Sequence, residues 1–248
     1  MTSLKNLKCL SAFHLKLMAM AFMLCDHLWA TAVSGNMWLT NVGRLAFPIF
    51  AFQIAEGFCR TDNFKKYLGR MFIFALISEL PFNLMYSGSL FFPFHQNVLF
   101  TFTLSLICLK ILDNAKKKSR GIYILAIVVM IPVVQILGFA SFVDYYGFGI
   151  LTVMLFYIFR EGRFAYIGQF VGMVIINWFM MGGMTINFSL FGMSIEFPQQ
   201  AFALFALIPI WMYNGRRGYD SRVFRIINYS FYPVHMLILA VLTLYILK

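Results

Sequence analysis

Long apolar segments recur along the whole chain, and they constrain its fold more than any other feature. Each is about 15 to 20 residues long, near the length that a helix needs to cross a bilayer. Backbone polar groups in hydrocarbon must be paired within the segment, so each segment is expected to be a helix. The segments lie at about residues 15–33, 42–58, 67–86, 97–112, 122–139, 145–159, 164–181, 197–213 and 231–247. The sequence thus predicts an all-α, polytopic membrane protein of about nine transmembrane helices, in a single domain over residues 1–248.

The overall composition agrees with this class. Of the 248 residues, 61% are hydrophobic and only 12% are charged, and the mean hydropathy is +0.80. A soluble domain carries about twice that share of charged residues, so the lipid bilayer is the expected solvent. The four cysteines show no CxxC spacing, so neither a disulfide framework nor a zinc site is expected, and no metal is predicted.

The basic residues are distributed asymmetrically over the predicted loops. Of the 20 lysines and arginines, all except Arg44 and Lys248 fall on the side that holds the N-terminus. The positive-inside rule therefore predicts a cytoplasmic N-terminus, an outer C-terminus and a multi-pass protein of the cell membrane. The net charge of +11 then reports orientation, and no nucleic-acid partner is expected. The clusters 116–120 and 216–217 either anchor loops at anionic headgroups or bind a phosphate-rich cytosolic ligand.

Three polar residues stand out in the first apolar segment, namely Lys16, Asp26 and His27. Charged groups in hydrocarbon are costly, so such residues indicate a functional site. Lys16 and His27 are eleven residues apart, which on a helix brings them within roughly 20° of each other and about 16 Å apart along the axis. One helix face therefore carries a cation near the surface and an imidazole deep in the bilayer. Asp26 points about 100° away from His27, and its expected partner is Arg44.

Further polar residues lie in or beside other segments. Glu56 and Glu79 are expected to meet Arg44, Arg70 or a hydroxyl within the bundle, because an unpaired carboxylate there would be costly. Asn97 and Thr101 share a helix face and can bind either a neighbouring helix or a substrate. His235 either contacts a headgroup or binds a cytoplasmic ligand. Two further expectations are a solvated His95 in an outer loop and a turn at Gly182-Gly183.

At these positions the sequence resembles the TraX family, typified by the F-pilin acetylase. The resemblance is dense over residues 5–105 and clear in the last helix, whereas the middle matches only in hydropathy. It rests on Lys16, Ala19-Met20, Asp26-His27, residues 43–52, Glu56-Gly57-Phe58, Thr61, Asn63, Tyr67, Arg70, residues 78–82, residues 97–101 and residues 231–235. The spacing of Lys16 and His27 also resembles the arginine-or-lysine and histidine signature of the wider transmembrane acyltransferases. Lysine in the cationic position keeps the charge but not a bidentate phosphate grip.

The resemblance implies an acyl-CoA-dependent O- or N-acetyltransferase of the bacterial inner membrane. It would move an acetyl group from cytosolic acetyl-CoA to an amine or hydroxyl of a membrane or extracytoplasmic acceptor, either a pilin-like N-terminus or a surface glycan. His27 would act as general base or acetyl carrier. The predicted site residues are His27 and Asp26 for catalysis, Lys16, Arg44, Glu56, Arg70 and His235 for the acetyl-CoA, and Glu79, Asn97 and Thr101 for the acceptor.

Two other classes of function are open on the sequence alone. A proton-coupled transporter would use Asp26, His27, Glu56 and Glu79 as a relay, since intramembrane acids and imidazoles also serve that purpose. Nine segments without an internal repeat, and the register of Lys16 and His27, argue against it. A non-catalytic relative that serves as an assembly partner is the third possibility. Binding of acetyl-CoA would discriminate the enzyme from both.

Overall fold

The protein is mainly helical. The computed structural model describes residues 8–190 and 193–246, so Lys5 and Lys248, which enter the charge distribution above, lie outside the described residues. In chain order the first helices are α1 Ala12–Thr31, α2 Met37–Gly43, α3 Ala46–Arg60, α4 Phe64–Ser87 and α5 Val98–Lys118. The later ones are α6 Arg120–Ala140, α7 Tyr146–Ile158, α8 Ala165–Val174, α9 Leu207–Trp211 and α10 Arg222–Val241. The helix α8 continues as a π-helix, Ile175–Met180, and a 3₁₀-helix, Gln199–Ala206, leads into α9.

Every predicted membrane segment contains helix, which confirms the all-α class. Within the described ranges, five helices are long and apolar enough to cross a membrane, at Met37–Arg60, Phe64–Ser87, Val98–Lys118, Arg120–Ala140 and Arg222–Leu244. The helix α1 is 20 residues long, but its polar residues lower its hydropathy below that of these five. The helix α7, with 13 residues, is only about 20 Å long. The count of nine spans and the cytoplasmic N-terminus therefore stay predictions.

A β-hairpin, which the sequence analysis did not predict, follows the π-helix. Its strands β1, Thr185–Leu190, and β2, Met193–Pro198, pair antiparallel with Thr185 opposite Pro198. Apolar and polar residues alternate along both strands, and this period of two is typical of a strand. The expected turn before the hairpin is present, since Gly182 and Gly183 have φ values of 34° and 110°, a region that glycine adopts at little cost.

The described residues form two compact units. The first comprises 8–50, 161–190 and 193–222, and the second 51–160 and 223–246. In the first unit α1 packs against α2 so closely that a methyl group at Gly43 would overlap with the Asp26 side chain. The start of α1 is tied to the segment after α9, because Leu10 N–H donates to the Met212 carbonyl (3.0 Å) and Phe13 N–H to the Arg217 carbonyl (3.1 Å).

The second unit is built around α7, which packs against both α5 and α6. Its apolar side chains are almost completely buried, including Ile150, Val153, Met154 and Phe156. Gly138 and Gly147 allow α6 and α7 to approach closely, because a Cβ atom on either would strike the backbone of the other helix. Burial on all sides explains why so short a helix is apolar around its whole circumference.

Candidate functional site

The two residues that carry the sequence argument lie on one unbroken helix. Lys16 and His27 are both in α1, which runs from Ala12 to Thr31 without a kink residue. The helical spacing assumed from the sequence therefore applies, and the two side chains leave α1 on nearly the same face, about 16 Å apart along its axis.

Asp26 is held by the second helix, as predicted. The Arg44 Nη2 atom donates to Asp26 Oδ1 at 3.0 Å, and the Thr40 hydroxyl donates to the same oxygen at 2.7 Å. Arg44 also donates to the Thr40 hydroxyl at 2.7 Å, which closes a three-membered network. The Asp26 carboxylate is thus bound to side chains of α2 and of the residue that follows it, and it holds α1 against α2.

Lys16 has a cationic neighbour that the sequence analysis did not assign to the site. Its half-buried side chain lies within electrostatic range of Arg217 and Asp220, which pair with each other at 3.0 Å. Among the described residues the Lys16 ammonium forms neither a hydrogen bond nor a close ion pair. Two cations with one carboxylate leave this end of α1 positive. In the sequence, only the basic cluster 216–217 indicated such a neighbour. Hydrogen bonds between the chain after α9 and the start of α1 bring this cluster close to Lys16.

In the second unit, Glu56 has partners other than those predicted. Its carboxylate accepts from Arg60 Nε at 2.8 Å and from Arg160 Nε at 2.6 Å, so the expected pairing with Arg44 or Arg70 is wrong. Arg60 is one turn further along α3, whereas Arg160 follows the end of α7. The buried Glu56 carboxylate, held by two guanidinium groups, therefore joins α3 to the residue after α7. The contact with Arg60 follows from the spacing of residues within one helix, whereas the contact with Arg160 depends on the tertiary structure.

Glu79 and Asn97, both predicted to contact the acceptor, are in direct contact. The Asn97 side-chain amide donates to Glu79 Oε2 at 2.6 Å, and the Asn97 N–H donates to it at 3.3 Å. Asn97 also caps α5, since its side-chain oxygen accepts from the Leu99 N–H. The expected arginine or hydroxyl partner of Glu79 is therefore wrong: an amide satisfies the carboxylate at a helix N-terminus, where negative charge is favoured.

Thr101 and His95 both contact Asp144, a residue that the sequence analysis did not single out. The Thr101 hydroxyl donates to the Asp144 carbonyl at 2.6 Å. His95 Nε2 lies 3.4 Å from Asp144 Oδ1, and its ring packs against Phe82 and Tyr86. The solvated His95 that we expected is thus wrong, because pairing of the loops at 96 and 143–144 draws it inward.

Arg70 lines a small cavity of about 130 Å³ in the second unit, together with Tyr67, Asn228 and Tyr232. The hydroxyl of Tyr232 is buried within electrostatic range of Glu79 and Asp144, so this cavity borders the two carboxylates described above. His235, one turn beyond Tyr232, is buried and stacks on the Phe231 ring at a centroid distance of 4.7 Å. Its burial does not fit the headgroup contact that was one of the two predicted uses.

Apolar helices with internal networks of paired polar residues define a polytopic α-helical membrane protein. The chain belongs to the TraX family, whose profile, described as TraX protein, matches residues 11–243. It is 29% identical to a protein of Dichelobacter nodosus named probable fimbrial assembly protein FimC, serogroup H1, over 92% of this chain and 94% of that protein. No solved structure matches this chain significantly.

Proposed function

We propose that this chain is a membrane acetyltransferase that takes the acetyl group from acetyl-CoA and passes it to an amine or a hydroxyl of an acceptor at the cell surface. Membership in the TraX family supports this function. The name of the Dichelobacter nodosus relative supports a fimbrial subunit as the acceptor, with a surface glycan as the alternative.

The observation that carries the proposal is the register of Lys16 and His27 on α1. The phosphates of CoA are anionic and stay near the membrane surface, whereas its thioester is at the end of a long flexible arm. Lys16, with Arg217 beside it, supplies positive charge at the start of α1. His27 lies about 16 Å further along the helix axis, and the flexible arm of CoA would extend over this distance. The helix would thus hold the phosphates at Lys16 and the thioester at His27.

His27 supplies the chemistry in this proposal. In the direct route, the acceptor nitrogen or oxygen attacks the acetyl carbonyl, its proton passes to the imidazole, and the C–S bond breaks to release CoA as a thiolate, which recovers a proton. In the carrier route, the imidazole attacks the acetyl carbonyl first, and the C–S bond breaks to release CoA, whose thiolate takes the imidazole N–H proton. The acceptor then attacks the acetyl-imidazole, the N–C bond breaks, and the proton of the acceptor passes to the imidazole. Both routes need a neutral imidazole beside the thioester.

Asp26 and Arg44 would serve by positioning. Because the Asp26 carboxylate is bound to Arg44 and Thr40, it secures α1 against α2 and so the orientation of the His27 face. Glu79, Asn97 and Thr101 stay the predicted acceptor residues, and Glu56, Arg70 and His235 stay predicted for the donor.

The proton-coupled transporter has less support. Two of its four relay residues, Asp26 and Glu56, are bound by guanidinium groups. Protonating either carboxylate would take the anionic partner away from a partly buried arginine, which is costly. An assembly partner without activity would need neither Lys16 nor His27.

Binding of radiolabelled acetyl-CoA to the purified full chain in nanodiscs tests the donor. We expect saturable binding that Lys16→Glu weakens strongly and that Lys66→Glu, a change at an exposed lysine outside the basic clusters, leaves nearly unchanged. The contribution of Lys16 should shrink as salt is raised, because the CoA phosphates that it attracts are exposed at the membrane surface, where charge is screened over about 10 Å at 0.1 M. Equal affinity of the wild type and Lys16→Glu would contradict the assignment, and no binding at all would contradict the enzyme.

A further inference from the structure

A groove between α4 and α5 opens on the surface of the second unit. Its volume is about 650 Å³, within the usual range for ligand sites. Leu68 and Phe72 of α4 form one wall, and Phe100, Leu104 and Ile107 of α5 form the other. Phe72 and Ile107 are 44% and 42% exposed, so the walls are open to whatever surrounds the helices.

The polar side chains along this groove are already paired within the protein. The Thr103 hydroxyl donates to the Leu99 carbonyl and the Ser141 hydroxyl to the Leu137 carbonyl. The Gln96 side-chain amide donates to the Pro93 carbonyl. Few hydrogen-bonding groups are therefore left for an occupant, and the body of the groove suits a hydrocarbon chain.

One end of the groove is basic. Lys65, in the first turn of α4, lines it. Lys110 of α5 lies nearby, with its ammonium 5.7 Å from the centre of the Phe64 ring and 3.8 Å from the Asp113 carboxylate, so Lys65 supplies the main positive charge. The start of a membrane helix lies near the headgroups, and long lysine side chains reach that level readily. An anionic group at this end would meet positive charge, and its apolar continuation would run into the groove.

Gly69 keeps the middle of the groove open. It lies inside α4, where glycine is unfavourable by about 1 kcal/mol relative to alanine, yet a Cβ atom there would meet nothing within 4 Å. Close packing within the protein thus gives no reason for a glycine. The reason that the structure offers is space, because a larger side chain at 69 would project into the groove.

We propose that this groove is a binding site for an anionic phospholipid, with the headgroup phosphate at Lys65 and one acyl chain between α4 and α5. The rise from Lys65 to Phe72 is about 10 Å, and the lining of the groove continues to Gln96 and Ser141, so an acyl chain can follow the groove from the headgroup level into the hydrocarbon core. The site does not depend on the acetyltransferase proposal.

Filling the groove tests the acyl chain. The full chain, purified in mild detergent with added phosphatidylglycerol, is expected to retain this lipid in native mass spectra. Gly69→Leu should lower retention at least several-fold, whereas Gly121→Leu, where a Cβ also meets nothing within 4 Å, should not. Unchanged retention in Gly69→Leu would overturn the proposal.

The headgroup is tested by exchanging the lipid. Wild-type protein should retain phosphatidylglycerol in preference to phosphatidylcholine by about fivefold, since one lysine at an anionic surface contributes on that order. Lys65→Gln should remove this preference, and Lys66→Gln, on a neighbouring exposed lysine, should keep it. Equal retention of both lipids by the wild type would show an unspecific lipid surface and would overturn the proposal.

A labelling measurement on the unmodified chain covers the case in which Gly69→Leu fails to fold. Phosphatidylglycerol with a photoreactive group in its acyl chain should label residues 68–72 and 100–107 more than helix α6, although α6 exposes more apolar surface. Labelling in proportion to exposed apolar surface would contradict the site, as would cross-linking of a second copy of the chain through these residues.

Discussion

Arg44 Nη2 lies 3.0 Å from Asp26 Oδ1, and this contact joins the first two helices of the chain. Both side chains are mostly buried, with 19% and 22% of their surface exposed. Because Gly43 precedes Arg44 and lies directly against Asp26, the helices are close enough for a short ion pair. The helix that carries Lys16 and His27 is therefore fixed by a charged contact on one of its other faces.

Removing either partner of this pair should destabilise the first unit. We expect Asp26→Ala and Arg44→Ala each to cost about 1.5 to 3 kcal/mol, the range for hydrogen bonds to charged groups. The double variant should cost less than the sum, because the second change no longer leaves a charge unpaired. Thermal unfolding of the purified protein in nanodiscs measures this, and strictly additive losses would show that the pair does not couple.

His27 should separate turnover from binding. We expect His27→Ala to lower acetyl transfer by about 10² to 10⁴-fold, as for loss of a general base, while acetyl-CoA binding stays near wild type. The measurement is incorporation of radiolabel from acetyl-CoA into envelope fractions of expressing cells. His14→Gln, on the same helix, is the matched control. Glutamine can form hydrogen bonds but cannot accept a proton as a base. Full activity of His27→Gln would therefore show that His27 serves only as a structural hydrogen-bonding residue.

The two arginines on Glu56 should differ in their effect on stability. Arg60 lies one turn away on the same helix and is 47% exposed, whereas Arg160 is 28% exposed and follows α7. Exposed pairs at this helical spacing contribute about 0.3 to 0.5 kcal/mol, so Arg60→Ala should be mild. Arg160→Ala should cost about 1.5 to 3 kcal/mol, because it removes the link between two elements. Equal unfolding temperatures for the two variants would contradict this order.

Cysteine labelling should report the membrane topology. A cysteine in place of Lys117 is expected to react only from the cytoplasm and one in place of Ser189 only from outside, because the basic loops predict three crossings between them. An impermeant maleimide added to right-side-out and inverted vesicles measures this. The short α7 makes the test informative: if it does not cross, both positions will react from the same side.

The contacts of the first helix show which features of the site can be predicted from the sequence. The helical spacing of Lys16 and His27 follows from local geometry, and the contact of Asp26 with Arg44 could be anticipated because both lie near the same end of consecutive segments. The long-range partner of Glu56 could not be predicted in this way. Arg160 is 104 residues away from Glu56, and hydropathy does not record which distant charge will face this carboxylate.

The same limit applies to His95 and Lys16. An outer-loop histidine is expected in water, and only the pairing of residue 96 with residues 142–144 places it against Asp144. Lys16 gains Arg217 as a neighbour because the chain after α9 runs along the start of α1. The β-hairpin was missed for a different reason, since its alternating pattern lies in a short segment between two apolar ones.

The sequence by itself determined where the helices lie and that their solvent is the bilayer, because apolar length and helical period are properties of contiguous residues. It also determined which polar residues were too costly to be incidental. The tertiary structure decided the partners of the carboxylates, Asn97 for Glu79 and Arg160 for Glu56, and it placed a second cation, Arg217, beside Lys16. A buried charge is satisfied by whichever group the packing of helices brings within about 3 Å, and that choice is made by contacts remote in sequence.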